Sequence, residues 1–408
     1  MKSWNEPGFA ALPDRGPVPQ VYDTATGLLV GAPGTDSTVG LYVCGITPYD
    51  STHLGHAATY LAFDVLVRCW RDAGLEVKYV QNVTDVDDPL LERATATGVA
   101  WHDLAATEIN RFRADMQALR VVPPTHYVGV VDSIELVVEA VSAMLRQGSA
   151  YVVGTDVYAD LQSDPLVGSI SQLSSAQMDQ LFAERGGDPE VEGKRHPRDP
   201  LLWRGRRSGE PAWPGGDLGE GRPGWHIECA VIAQQNLQVP ITVQGGGRDL
   251  IYPHHEMSIA HLRQTSGHTH PAHSYVHTGL VGYRGAKMSK SRGNLVFVSD
   301  LRGDGIPPDV IRLVLLNHHY RADWEYRSSQ LFTAAQRWHR WRHAAQSTTD
   351  RDESAAITDL RRALATDLDT PSALAVVDRW AARADHGQQM VAAVSALLGI
   401  DLAVASTA

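Results

Sequence analysis

The sequence predicts an α/β protein built on a parallel sheet, with an α-helical C-terminal region. Three observations predict it. Residues 39–83 read as strand, helix, strand, the pattern of a parallel crossover unit. Residues 239–265 repeat the theme as strand, glycine run and helix. Beyond residue 305 the pattern is helical only. With 408 residues, 43% of them hydrophobic, the chain can hold a large core and more than one domain. The expected division is a main domain at 1–330, interrupted by an insertion at about 115–224, and a short helical domain at 331–408.

The elements follow in order. Val39 to Cys44 is a short apolar run, expected as a buried strand that ends at Gly45 and a turn through Pro48. Residues 55–73 place Leu61, Val65, Leu66 and Cys69 on one helical face, and Gly74 stands where a helix C-terminal glycine belongs. Glu76 to Val83 is the second strand. Helical patterns follow near 90–120 and 133–147. Residues 186–224 hold ten glycines and six prolines, so a partly mobile loop is expected there. A helix at 226–237, a strand at 239–244 running into Gly245-Gly246-Gly247, and a helix at 254–265 come next. In the tail, Trp338, Trp341, Leu360, Leu364, Leu368, Leu374, Val377 and Leu397 are expected as the core of a small bundle.

Composition narrows the function classes. The formal charge is −11, from 36 basic and 47 acidic side chains. Such a chain has no global field for a polyanion, which does not forbid a local basic patch. Cys44, Cys69 and Cys229 are too few for a disulfide framework. No apolar run reaches the roughly 20 residues needed to span a bilayer. The first 20 residues carry Pro7, Pro13, Pro17 and Pro19 without an apolar stretch, unlike a signal peptide. A cytoplasmic, monomeric enzyme without membrane contact is expected. Lysines number only five, and two of them, Lys287 and Lys290, lie four residues apart counting both ends.

Two short motifs carry chemistry. His53-Leu54-Gly55-His56 opens the first helix, where free N–H groups and the helix dipole favour an anion and Gly55 allows close approach. Taken alone, the two histidines would more often be capping or surface residues. Lys287-Met288-Ser289-Lys290-Ser291 offers two ammonium groups on one loop, suited to clamping a triphosphate and stabilising charge in phosphoryl transfer. Taken alone, it would be an exposed basic loop. Together, in this order and some 230 residues apart, they resemble the two signatures of class I aminoacyl-tRNA synthetases.

Further stretches sharpen the resemblance. Tyr42-Val43-Cys44-Gly45, Thr47, Tyr49-Asp50, Thr59-Tyr60 and Tyr79 to Asp85 are similar to the cysteinyl-tRNA synthetase pattern. So are Gly224-Trp225-His226-Ile227-Glu228-Cys229, Gly245-Gly246-Gly247, Asp249 and Pro253-His254-His255-Glu256. The resemblance spans roughly residues 20–330 and implies a Rossmann-like class I synthetase catalytic domain. It implies one zinc ion per chain that grips the substrate thiolate, with Cys44, Cys229 and His254 as ligands. A thiolate binds zinc well and a hydroxyl does not, so such an ion selects cysteine over serine. The two cysteines are 185 residues apart, a spacing that alone points to no metal site.

Two departures shift the expectation. Ser258 stands where the family supplies a glutamate as fourth ligand. From Asp350 onward there are nine acidic residues, five arginines and no lysine, a net of −4 and a poor tRNA platform. Glu184-Arg185-Gly186-Gly187-Asp188-Pro189 resembles the cysteine ligases of mycothiol biosynthesis, relatives that use the same site without tRNA. This resemblance implies ATP-dependent ligation of L-cysteine to glucosaminyl-inositol through a cysteinyl-adenylate, with Mg²⁺ accompanying ATP. A compact cysteinyl-tRNA synthetase is the alternative. By the same resemblance, His53, His56, Lys287 and Lys290 face the phosphates, and Asp249 holds the ribose or accepts a proton. Cys44, Gly45, Ile46 and Thr47 are implied to contact the adenylate, with Thr59, Asn82, Val83 and Thr84. Trp225 would wall the thiol pocket, Gly247 and Arg248 would also contact the nucleotide, and the adenine would lie near Val281. Met288, Ser289 and Ser291 would complete the phosphate loop. The 184–189 turn and the loop after it are the candidates for the sugar.

Overall fold

The computed structural model describes every residue except 34–36, 50–51, 289–291, 347–351, 384–385 and 403–408. Five parallel strands form the central sheet: β1 (Thr38–Val43), β2 (Glu76–Val83), β3 (His126–Gly129), β4 (Ile241–Gly247) and β5 (Ala272–Thr278). Their spatial order is β5-β4-β1-β2-β3. From β1 the chain steps one way to β2 and β3, and later the other way to β4 and β5. The gap between β1 and β4 is thus the point where strand order reverses, the place where open α/β sheets bind ligands. The helix α1 (Leu54–Asp72) crosses from β1 to β2, ending at Ala73 with Gly74 at φ +83°.

The stretch expected to be an insertion differs in two ways. β3 lies within it and completes the central sheet through its pairing with β2. The glycine- and proline-rich residues 186–224 are in part regular. Leu201–Gly205 and Gly221–Pro223 pair with each other and extend Ala150–Val153 and Asp156–Ala159 into a four-stranded antiparallel sheet. Glycine here serves packing as much as turning. A Cβ on Gly221 would stand 2.5 Å from the Trp203 indole nitrogen, and one on Gly215 would stand 2.9 Å from the same ring. Strands of three to five residues are too short to carry a readable alternation.

The helical tail begins at Ser329–Ala345 and shares one continuous core with the sheet domain. Trp341, Leu360, Leu364, Leu368, Leu374, Val377 and Leu397 are buried, and Trp338 is partly so. A charged knot ties the tail to α1. Asp64 accepts from Arg68 Nε at 2.8 Å, from Val122 N at 2.8 Å and from Arg312 Nη2. Arg68 in turn donates to Ser395 O and Ala396 O, and Arg312 to Leu398 O and Leu119 O. Burial alone would raise the Asp64 pKa, but the two guanidinium groups hold it below the usual carboxylate range. Among the described residues, no helix is long and apolar enough to cross a membrane.

Candidate active site

A cleft of about 530 Å³ opens where β1 and β4 end. Its walls come from the β1 exit, the start of α1, the β2 exit and the two-stranded turn that carries Lys287.

His53 is the N-cap of α1. Its Nδ1 accepts from Gly55 N at 3.0 Å and His56 N at 3.4 Å. That commitment leaves Nε2 as the protonated nitrogen, a donor aimed away from the helix. The His53 and His56 rings stack at 3.8 Å, and a Cβ on Gly55 would stand 2.8 Å from the His53 ring. Burial keeps both imidazoles neutral: His53 is held well below its ordinary value and His56 is lowered to about 4.

Across the cleft, Lys287 Nζ lies 2.7 Å from Asp249 Oδ2. Burial would raise the Asp249 carboxyl, but Lys287 holds it low. Asn294 braces this turn, its buried amide donating to Tyr283 O at 2.9 Å, Ala286 O at 3.3 Å and Lys287 O at 3.1 Å. Met288 is buried, its N–H bonded to Val281 O at 3.0 Å. Ser289, Lys290 and Ser291 lie outside the described residues, as does Asp50.

The β1 and β2 exits interlock. Asn82 Oδ1 accepts from Gly45 N at 2.8 Å, and Asn82 Nδ2 donates to Thr84 Oγ1 at 3.2 Å. Only glycine fits at position 45, because a Cβ would stand 1.6 Å from Asn82 O. Ile46 O accepts from Thr84 N, and Thr47 O from Tyr49 N. Thr59 Oγ1 meets Thr278 Oγ1 at 2.8 Å at the back of the cleft, beside Gly247.

At one end of the cleft Cys44, Cys229 and His254 converge, their ligand atoms all within 4.8 Å of one another. Cys44 Sγ is 3.8 Å from Cys229 Sγ, and Cys229 Sγ is 3.2 Å from His254 Nε2. The donor set suits a soft divalent cation. Burial pushes the Cys44 thiol well up, and the neighbouring Cys229 adds to this, a cost that a cation would reverse. Burial holds His254 neutral, as a ligand must be, and its Nδ1 is turned toward His226 Nδ1 at 3.1 Å. Trp225 lies against His254, ring centroids 4.3 Å apart. Ser258 is buried, and its hydroxyl finds no partner among the described residues.

Several residues stand apart from these expectations. Val83 belongs to the hydrophobic core, and Arg248 pairs with Asp323 at 2.9 Å; neither lines the cleft. The 184–189 turn does not line it either. Sequence reasoning missed Asn294, whose only signal is its place directly after Lys287 to Gly293. It also missed His255, whose Nε2 is 3.1 Å from Cys44 Sγ and whose Nδ1 is 2.7 Å from His277 Nε2. The doublet with His254 was the visible hint.

The family model for the tRNA synthetases class I (C) catalytic domain matches residues 31–336. A protein of Beutenbergia cavernae is 55% identical over 98% of this chain and 100% of its own length, and one of Xylanimonas cellulosilytica is 57% identical with the same coverage. Both are named L-cysteine:1D-myo-inositol 2-amino-2-deoxy-alpha-D-glucopyranoside ligase. The chain belongs to this ligase family. The fold of this ligase family member is that of class I synthetases. Methionyl-tRNA synthetase of Mycobacterium tuberculosis, solved with methionyl-adenylate, superposes with a TM-score of 0.63 at 15% identity, over 89% of this chain and 82% of that one. As a member of the ligase family, the chain is an enzyme that joins two substrates with the aid of ATP.

Proposed function

We propose that the chain ligates L-cysteine to the amine of 1D-myo-inositol 2-amino-2-deoxy-alpha-D-glucopyranoside through a cysteinyl-adenylate, releasing AMP and diphosphate. The observation that carries this reading is a single cleft with a sulfur-and-imidazole trio at one end and a stacked histidine pair facing a lysine at the other. The named relatives support the acceptor.

In the first half-reaction a cysteine carboxylate oxygen attacks the α-phosphorus of ATP, and the bond to diphosphate breaks. His53 donates through Nε2 to a phosphate oxygen, and His56 lies beside it. Lys287 and Lys290 neutralise charge growing on the diphosphate, with Mg²⁺ accompanying ATP. Asp249 holds the ribose hydroxyls. Gly45, Thr47, Thr59, Asn82 and Thr84 surround the aminoacyl group, and the adenine lies by Val281. Cys44, Cys229 and His254 would hold a zinc ion, which supplies a soft position for the substrate thiolate and rejects serine. Trp225 closes that pocket. In the second half-reaction the neutral sugar amine attacks the adenylate carbonyl, AMP leaves, and the amine loses a proton.

The reading includes a monomer, a cytoplasmic place of action, and no use of tRNA. The test offers labelled cysteine, ATP and magnesium with glucosaminyl-inositol in one reaction and cysteine tRNA in another. Amide product with the sugar alone is expected. Charged tRNA without sugar product would overturn the reading in favour of a compact synthetase.

A further inference from the structure

The turn Glu184 to Pro189 is conspicuous in the sequence yet absent from the cleft. Its placement gives it a different task. Arg185 caps the helix Ser175–Glu184, and its Nη1 donates to Asp249 O at 2.6 Å and to Tyr252 O at 2.5 Å. These two carbonyls bracket the short turn that follows β4 and carries the Asp249 carboxylate into the cleft. Both bonds leave one terminal nitrogen, whose two N–H groups suit two carbonyls at once.

The bracket itself is firmly held. Gly186 has φ +87°, open to glycine. A Cβ on Gly187 would stand 2.3 Å from the Phe182 ring, and Gly187 N donates to Phe182 O at 2.9 Å. Asp188 accepts from Tyr158 OH at 2.6 Å and from Lys194 Nζ at 2.8 Å. Tyr158 belongs to the inserted antiparallel sheet. A chain of contacts therefore runs from that sheet through Asp188 and Arg185 to the backbone of Asp249.

We infer that Arg185 is a positioning residue for nucleotide binding, by which the inserted domain sets the height of the Asp249 turn. The inference rests on the reading in which Asp249 holds the ribose of ATP. In Arg185→Met the donors are gone and the length is kept. In cysteine-dependent ATP–diphosphate exchange, the KM for ATP is expected to rise about tenfold, from the loss of two hydrogen bonds to one turn. The KM for cysteine and the metal content are expected to stay as they were.

A double-mutant cycle separates this from general damage. In an Asp249→Asn background, adding Arg185→Met is expected to cost less than about twofold, because the positioned group is already gone. The same tenfold factor in both backgrounds, or a KM for ATP unchanged in the single variant, would overturn the inference. Hydrogen exchange of the amides at 249–252, without nucleotide, gives a readout that needs no activity. It should quicken in Arg185→Met, and unchanged protection would also overturn the inference. Arg185→Lys serves if the methionine variant does not fold; an ammonium reaching one carbonyl should give an intermediate KM. Absence of exchange in the unaltered enzyme would sink the functional reading instead and leave the hydrogen-exchange result to decide the bracket.

Discussion

Replacing Lys287 by methionine removes one charge and little else. In the resting cleft the ammonium pairs with Asp249 at 2.7 Å, but the two side chains are 46% and 41% exposed. A pair that wet is worth about 1 kcal/mol or less, so the folded protein should scarcely register its loss. The reaction is another matter. If Lys287 turns onto the departing diphosphate, one preorganised cation facing new charge is worth about 3–4 kcal/mol, or 10²–10³ in rate. Asn294 makes the charge preorganised by fixing the Lys287 carbonyl. The expected signature is therefore a split: exchange between ATP and labelled diphosphate falls by two to three orders of magnitude, while the urea midpoint hardly moves. Exchange within about threefold of the unaltered enzyme would refute the electrostatic role. A fall accompanied by several kcal/mol of lost stability would refute the claim that the resting pair is weak.

Other expectations concern the metal trio and the buried acids. Cys229→Ser should lower bound zinc from about one per chain toward zero by elemental analysis, because a hydroxyl is a poor ligand; full retention would remove Cys229 from the ligand set. Asp87 caps the helix Asp88–Thr97, and burial raises its carboxyl to about 6, even though the Asp88 amide pulls the other way. A raised folded value means the native state binds the extra proton between about pH 4 and 6, so stability falls as pH rises through that window. Asparagine caps equally well. Asp87→Asn should therefore raise stability at pH 7.5, by on the order of 2 kcal/mol, and do little at pH 4. Equal effects at both pH values would sink this account. Asn294→Ala should slow exchange about tenfold through a misplaced Lys287 turn, with the KM for cysteine unchanged; a changed cysteine KM alone would contradict it.

The sequence revealed what is local and periodic. α1 and β2 were readable almost to the residue, because α1 keeps a three-to-four spacing over 19 residues and β2 is a short run rich in Val and Tyr just after Gly74. The histidine and lysine signatures were visible because each is one contiguous stretch. Three things were hidden for one physical reason, that they are made by tertiary contact. Cys44 and Cys229 meet because β1 ends beside the helix Trp225–Asn236, which their spacing hid and which the family resemblance alone implied. The inserted sheet uses strands too brief to alternate visibly, among glycines that look like loop. Arg185 stands in a turn expected near the sugar, and only the fold shows that its guanidinium ends on two carbonyls beyond residue 248.

The knot of Asp64, Arg68 and Arg312 bears on how this chain could have been assembled from parts. His53 at one end of α1 lines the cleft, and Arg68, about 22 Å further along the same rod, holds the carbonyls of Ser395 and Ala396. A seam at residue 330 looks natural on paper. In the molecule it would slice a shared core and strand two guanidinium groups. The tail is therefore no interchangeable module, and recombination that replaced it would have to carry the underside of α1 along with it.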